Sequence, residues 1–133
     1  MGVFEELNRA FDYEIVDEFL DHFDIMNTAM QPAILALQKP EEYDDRINEL
    51  FRIFHNLKSA SAYLKLETMN RLSAFVEDVL EKARKKEGPA SEAFIDWLLR
   101  VSDQYDRWYA DLSHDHERLS PLDFDIFDLP VEA

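Results

Sequence analysis

Residues 50–66 read LFRIFHNLKSASAYLKL, and this stretch decides the fold. Apolar side chains recur in it at steps of three and four, the period of one buried face of an α-helix. His55 directly follows the buried-face residue Phe54, so it lies about 100° around the helix, at the edge of that face. Lys58 lies close to His55 in angle, and only small side chains follow it at 59–62. This combination indicates a surface on which another protein docks. The predicted buried face consists of Ile47, Leu50, Phe54, Leu57, Ser61 and Leu64.

A second amphipathic helix follows after a break at residues 65–68. Glu77 follows its apolar face just as His55 follows that of the first helix, and equal offsets in an antiparallel pair lie on the same side. Each of the two residues is 11 positions from Leu66, so both reach the same height above the turn. We therefore expect the Glu77 carboxylate to reach the imidazole of His55. A carboxylate on one ring nitrogen fixes the tautomer and leaves the other nitrogen free as a nucleophile. The apolar face is predicted to contain Met69, Leu72, Val76, Val79 and Ala83.

These residues carry a family resemblance. The run Phe51-Arg52-x-x-His55-x-x-Lys58-Ser59-x-x-x-x-Leu64, followed by Leu72-x-x-x-x-Glu77-Asp78-x-Leu80, resembles the histidine-phosphotransfer (HPt) domain. It is most similar to the HPt module at the head of CheA-type chemotaxis kinases, over roughly residues 10–112. The resemblance implies that His55 carries a phosphoryl group, with Lys58 and Glu77 as its partners, and that Phe51, Ser59 and Ala62 admit the docking protein.

Two positions depart from the family pattern. Ser59 and Lys65 stand where the family usually has glycine. We expect both positions to be helical or nearly so, and serine is still small. We therefore expect these two departures to modify how the partner protein docks and not to abolish function.

The hydrophobic pattern predicts an all-α fold, an antiparallel up-down four-helix bundle with a short extra N-terminal helix. That short helix is expected at residues 3–11. The long helices are expected at about 13–38, from the Pro40 region to Leu64, at about 67–86, and after Ser91, which caps the last one. Pro32 is expected to kink the helix at about 13–38. The basic run at the end of the helix expected at about 67–86 is interpreted as complementing the helix dipole. It consists of Lys82, Arg84, Lys85 and Lys86.

Composition limits the class of protein. The 133 residues form one domain, and 47% of them are hydrophobic. A formal net charge of −15 argues against binding to nucleic acid or to an anionic membrane surface. The chain has no cysteine, which excludes disulfides and thiolate metal sites and suits a reducing compartment. Because the sequence also lacks an apolar run of ~20 residues and a signal peptide, we expect a cytoplasmic protein. We also expect it to be a monomer.

Glycine content bears on the source of the phosphoryl group. Only two glycines are present, so the glycine-rich loops that typically cradle nucleotide phosphates cannot be built. The resemblance implies a phosphoryl carrier, and because such a loop is lacking we expect that it is not itself an enzyme, needs no cofactor and is charged by another protein. The resemblance implies a response-regulator receiver domain and a histidine kinase as partners, with Mg²⁺ bound by the receiver. Two alternatives stay open, a non-catalytic interaction module with a silent His55 and the excised HPt head of a larger kinase.

The C-terminal segment has a different character. Residues 1–112 are predicted to form the bundle, and residues 113–133 an extended acidic tail with two prolines that packs partly on the bundle or frays. A linear motif or a linker is the functional alternative. His114 and His116 have side chains that can bind a divalent metal, but two histidines without a third well-placed ligand are a weak signal, and we expect no metal site. His22, flanked by acids on the second helix, is interpreted as an ordinary surface histidine.

Overall fold

The computed structural model describes residues 1–129, which form five α-helices and two short 3-10 helices. The all-α prediction is confirmed, and the short N-terminal helix is present. None of these helices is long and apolar enough to cross a membrane. The α-helices are α1 (Val3–Ala10), α2 (Tyr13–Leu35), α3 (Tyr43–Tyr63), α4 (Glu67–Ala83) and α5 (Glu92–Ser113), and the 3-10 helices are Ala36–Gln38 and Phe124–Phe127.

The helical periodicity places the apolar faces correctly, with one exception. All six residues of the predicted α3 face are buried. In α4 the prediction fails near the C-terminus, where Leu80 is buried in place of Val79. Leu80 lies four residues after Val76, so the helix keeps its 3.6-residue period where the sequence pattern suggested a step of three. The apolar residues of α5 that recur at steps of three and four are buried throughout; they are Phe94, Leu98, Val101, Tyr105, Trp108 and Leu112.

Two predicted helix boundaries shift. α2 ends at Leu35, three residues after Pro32, and the chain continues as the 3-10 helix Ala36–Gln38. α3 begins at Tyr43, shortly after Pro40. α4 ends at Ala83 instead of about Lys86. The helix-dipole interpretation therefore covers Lys82 in the last turn but not Lys85 and Lys86. The predicted cap of α5 is confirmed, because the Ser91 hydroxyl accepts the Phe94 N–H at 3.1 Å.

The turn between α3 and α4 fixes the register of the hairpin. Lys65 has φ 58°, in the left-handed region, so the expectation of a helical or nearly helical residue is wrong. The Leu66 N–H bonds to the Ser61 carbonyl at 2.9 Å and the Lys65 N–H to that of Ala62 at 3.2 Å. These two bonds form a Schellman motif, whose left-handed position glycine occupies most readily.

The C-terminus of α5 repeats this motif and also supports α1. Asp115 has φ 50°, and its Oδ1 accepts the N–H groups of Phe4 and Glu5 at 3.0 and 3.2 Å. It thereby supplies the cap that Gly2, at the N-cap of α1, cannot provide. A side chain at Gly2 would not fit, since its Cβ would clash with the side chain and the backbone carbonyl of Asp115.

Residues 119–127 fill a gap in the bundle. α3 packs on α2 and α4, and α2 packs on α5, but no Cα atoms of α4 and α5 lie within 8 Å of each other. Ile126 is buried, and its carbonyl accepts the Trp97 indole N–H of α5 at 2.5 Å. The Phe127 ring meets Phe75 of α4 edge-on at 4.9 Å between centroids. The segment predicted to be extended thus includes a 3-10 helix that bridges the two helices; residues 130–133 of the predicted tail lie outside the described residues.

The backbone at Lys65 gives a stability prediction. We expect the free energy of unfolding of the Lys65→Gly variant to be about 1 kcal/mol higher than that of the Lys65→Ala variant. The reason is that a Cβ disfavours the left-handed conformation that this turn requires. Both variants lose the lysine charge and stem, so their difference isolates the backbone effect. Urea unfolding followed by circular dichroism measures it. Equal stability of the two variants would contradict the assigned turn.

Candidate functional site

His55 and Glu77 meet across the α3–α4 hairpin, as their equal spacing from Leu66 predicts. His55 Nδ1 lies 3.1 Å from Glu77 Oε2. The side chain of His55 is 54% exposed, whereas that of Glu77 is 13% exposed. The imidazole therefore projects from the surface while the carboxylate lies beneath it between the helices.

The same carboxylate also binds Lys58. The Lys58 ammonium donates to Glu77 Oε1 at 2.9 Å, so each carboxylate oxygen has its own partner. Sequence reasoning placed Lys58 near His55 but did not anticipate that both would share one acid. The reason is geometric: Lys58 lies three residues after His55, about one helical turn along α3, and so projects on the same side of the helix toward α4.

These contacts determine the charge state of Glu77. Burial raises the pKa of the Glu77 carboxyl, but the hydrogen bonds and charges of Lys58 and His55 outweigh burial, and the pKa lies below the ordinary value. Glu77 is therefore ionised at neutral pH and can only accept hydrogen bonds. The Nδ1 atom of His55 must then be the donor, and in the neutral ring Nε2 keeps its lone pair. The arrangement thus presents an exposed nitrogen nucleophile held in a defined orientation.

Two side chains extend the site away from the turn. The Phe51 ring is nearly parallel to the His55 imidazole, with an interplanar angle of 17° and centroids 6.3 Å apart. The Arg84 guanidinium lies 4.4 Å from the centre of the Phe51 ring, on which it packs as a cation–π pair. Sequence reasoning missed this position of Arg84, because Arg84 was attributed to the helix dipole.

One polar contact locks the hairpin near the turn. The Asn70 side-chain amide donates to the Lys58 carbonyl at 2.8 Å. It joins α4 to α3 at the residue that also binds Glu77, and no sequence motif pointed to it. The only available signal was a polar residue next to the buried Met69.

The predicted docking residues differ in how exposed they are. Ser59 and Ala62 are exposed and Phe51 is half-buried. Ser61, from the same run of small residues, is buried, and its hydroxyl donates to the Leu57 carbonyl at 2.6 Å. Of the run of small residues at 59–62, therefore, only Ser59 and Ala62 are exposed. They follow His55 by four and seven residues and share its outward face.

The other histidines lie elsewhere. His22 on α2 is exposed, with Nε2 3.9 Å from Glu18 Oε1. His116 Nδ1 lies 2.7 Å from Asp111 Oδ1, and this contact together with the Ser120 N–H holds the pKa of Asp111 below its ordinary value despite burial. Across residues 1–129 no group of three or more His, Asp or Glu side chains is arranged to hold a metal ion.

Comparison with known proteins agrees with this geometry. A sequence model of the family described as Hpt domain matches residues 14–115. The chain is 33% identical over 90 residues to the "Sensor histidine kinase CheAY" of Helicobacter pylori, an alignment covering 68% of this chain and 11% of that protein. It is 24% identical over 94 residues to the "Chemotaxis protein CheA" of Treponema pallidum, covering 71% of this chain and 12% of that protein.

The chain thus spans about a tenth of the length of these two relatives. A longer alignment, at 21% identity over 115 residues, joins it to the "Chemotaxis protein CheA" of Listeria monocytogenes, with 86% of this chain and 19% of that protein covered. No solved structure matches significantly. The family match covers the whole α2–α5 bundle and the His55–Glu77 pair, and the chain belongs to the Hpt domain family, the phosphotransfer modules of two-component signalling.

Proposed function

We propose that this chain is a phosphoryl carrier in a two-component phosphorelay and that His55 is the residue that carries the phosphoryl group. The observation that carries the proposal is the carboxylate of Glu77, which holds Nδ1 of a half-exposed imidazole and leaves Nε2 directed away from it. A histidine without such a partner would rotate freely and divide its proton between both nitrogens.

The transfer step follows from this orientation. The Nε2 lone pair of His55 attacks the phosphorus of a phospho-aspartate on a receiver domain; the N–P bond forms as the P–O bond to the aspartate breaks, and the carboxylate leaves with the electron pair. The Nδ1 proton stays on the ring. The ring gains positive charge as the bond forms, and the ionised Glu77 stabilises that charge. The reverse step returns the phosphoryl group to another aspartate.

Lys58 has a separate role in this proposal. Its side chain is 34% exposed, so the ammonium can remain on Glu77 and still approach the phosphoryl oxygens above His55. Phosphoryl transfer depends on positioning and charge stabilisation rather than on covalent chemistry by the protein. Lys58 supplies charge, Glu77 supplies orientation, and Mg²⁺ is bound by the receiver.

The source of the phosphoryl group is a second protein. A histidine kinase or a phosphorylated receiver domain is the proposed donor, and the kinase is supported by the kinase and chemotaxis names of the relatives. A response-regulator receiver is the proposed acceptor. Profiling transfer against the receivers of the source organism would identify the cognate partner.

Replacement of His55 tests the carrier role. We expect His55→Gln to take up no label from a phosphorylated receiver or kinase, while the wild-type protein gains an acid-labile phosphoryl group. The melting temperature should change little, since substitutions at exposed positions usually cost within about 0.5 kcal/mol. His22→Gln is the matched control and should label normally. Label on the His55→Gln protein would refute the assignment, and a wild-type protein that binds partners but never labels would be the silent interaction module.

Lys58 tests the division of roles. Lys58→Ala should slow transfer on the order of tenfold, because a hydrogen bond to a charged group is worth about 1.5–3 kcal/mol and ~1.4 kcal/mol is one factor of ten. Receiver affinity should be retained. A binding titration beside a transfer time course separates the two effects, with Lys39→Ala, whose lysine pairs with Glu42, as the control. An equal loss of binding and rate would make Lys58 a docking contact.

A further inference from the structure

The helix that carries Glu77 approaches only one other helix closely through its backbone. Among residues 1–129, α3 is the only helix whose Cα atoms lie within 8 Å of those of α4. Toward α5, α4 is held by side chains, such as the Ser73 and Tyr105 hydroxyls, which lie 2.7 Å apart. Residues 119–127, here called the strap, contact both α4 and α5 across this gap. The position of α4, and with it that of Glu77, therefore depends on how the strap is held.

The strap is bound along α5 through its main chain. The Ser120 N–H donates to Asp111 Oδ2 at 2.5 Å, and the Ser120 carbonyl accepts the Trp108 indole N–H at 2.9 Å. Further along the strap, the Asp123 N–H donates to Gln104 Oε1 at 2.8 Å. The three α5 side chains are buried. Because a buried polar group that loses its partner is costly, these contacts hold the strap in a fixed path over α5.

The far end of the strap reaches α4 through an aromatic ring. The Phe127 ring meets Phe75 of α4 edge-on, with centroids 4.9 Å apart and an interplanar angle of 65°. The Phe75 ring also meets Trp97 of α5, at 6.4 Å between centroids. Trp97 in turn donates its indole N–H at 2.5 Å to the carbonyl of Ile126, which is buried and directly precedes Phe127. Phe75 thus contacts rings of both α5 and the strap, at the point where the strap is fastened to α5.

Phe75 is linked to the site by its place on α4. Phe75 and Glu77 are two residues apart, so they project about 200° apart around the helix. Phe75 faces the strap, while Glu77 faces α3, where its Oε2 lies 3.1 Å from His55 Nδ1. A rotation of α4 that separates Phe75 from Phe127 therefore also moves Glu77 relative to His55. Hydrogen bonds of this kind span about 2.7–3.2 Å, so a small displacement is enough to loosen this one.

We propose that the strap is a positioning element of the phosphotransfer site. By packing Phe127 on Phe75, it sets the rotation of α4 and holds the Glu77 carboxylate on Nδ1 of His55. The inference rests on the proposed function for the role of the His55–Glu77 pair. The family match ends at residue 115, so the strap supports the site from outside the matched part of the chain. Phe127 acts on His55 through α4 and is therefore a positioning residue.

Removal of the Phe127 ring tests the proposal, with Phe124→Ala as the matched control. Both phenylalanines belong to the 3-10 helix Phe124–Phe127, but Phe124 is 75% exposed whereas Phe127 packs on α4. Long-range ¹H–¹⁵N NMR at alkaline pH gives the ratio of the Nδ1–H to the Nε2–H tautomer of His55. We expect Phe127→Ala to lower this ratio about threefold to tenfold, because an edge-on aromatic pair then no longer stabilises the α4 orientation in which Glu77 holds Nδ1. Phe124→Ala should leave the ratio unchanged.

An unchanged ratio in Phe127→Ala would overturn the proposal even if the melting temperature falls, because a strap that only stabilises the fold does not alter the tautomer of the folded protein. An equal fall in both variants would overturn it too, and so would a wild-type His55 without an excess of the Nδ1–H tautomer. If Phe127→Ala does not fold, Phe127→Leu keeps an apolar side chain and provides the same test with the same expected direction.

The tautomer is measured without phosphoryl transfer, so the two proposals fail separately. A protein that never labels but shows the effect at Phe127 would refute the carrier role and leave the strap as a positioning element. A protein that labels normally and keeps its tautomer ratio in Phe127→Ala would refute the role of the strap alone.

Discussion

The Glu77 carboxylate lies between α3 and α4, where its two oxygens bind His55 and Lys58. It is largely shielded from water, so both interactions act in a medium of lower dielectric constant than the bulk. One buried acid thereby fixes the ring orientation, selects the proton-bearing nitrogen and holds a cation close to the nucleophile. Loss of the carboxylate would leave the imidazole exposed but without a defined orientation.

This contact depends on the hairpin register. The apolar faces of α3 and α4 bring the helices together, and the Schellman motif at Lys65 sets where the chain reverses. The Asn70 contact with the Lys58 carbonyl then holds the register between the turn and the site. A slip by one residue in either helix would rotate Glu77 by about 100° away from His55. Packing in the bundle thus positions the chemistry without a dedicated loop.

Helical periodicity and equal spacing were sufficient to predict the helices, the buried faces and the meeting of His55 with Glu77. Periodicity does not encode backbone conformation at a turn, and Lys65 was therefore misjudged. Nor does it reveal which of two cations a carboxylate binds, so the shared Glu77 was missed. Long-range contacts left no periodic signal either: the Ile126 carbonyl accepts from Trp97 of α5, Phe127 packs on Phe75 of α4, and Asp115 caps α1. These features arise from tertiary packing of irregular segments.

The central claim is that Glu77 makes Nδ1 the proton-bearing nitrogen of His55. Long-range ¹H–¹⁵N NMR at alkaline pH, where the ring is neutral, reads the tautomer directly from the two ring nitrogens. We predict an Nδ1–H tautomer for His55 in the wild-type protein, with Nε2 unprotonated, whereas exposed His22 should show a mixture of the two tautomers. A predominant Nε2–H tautomer of His55 would contradict the account, because the atom proposed as the nucleophile would then have no free lone pair.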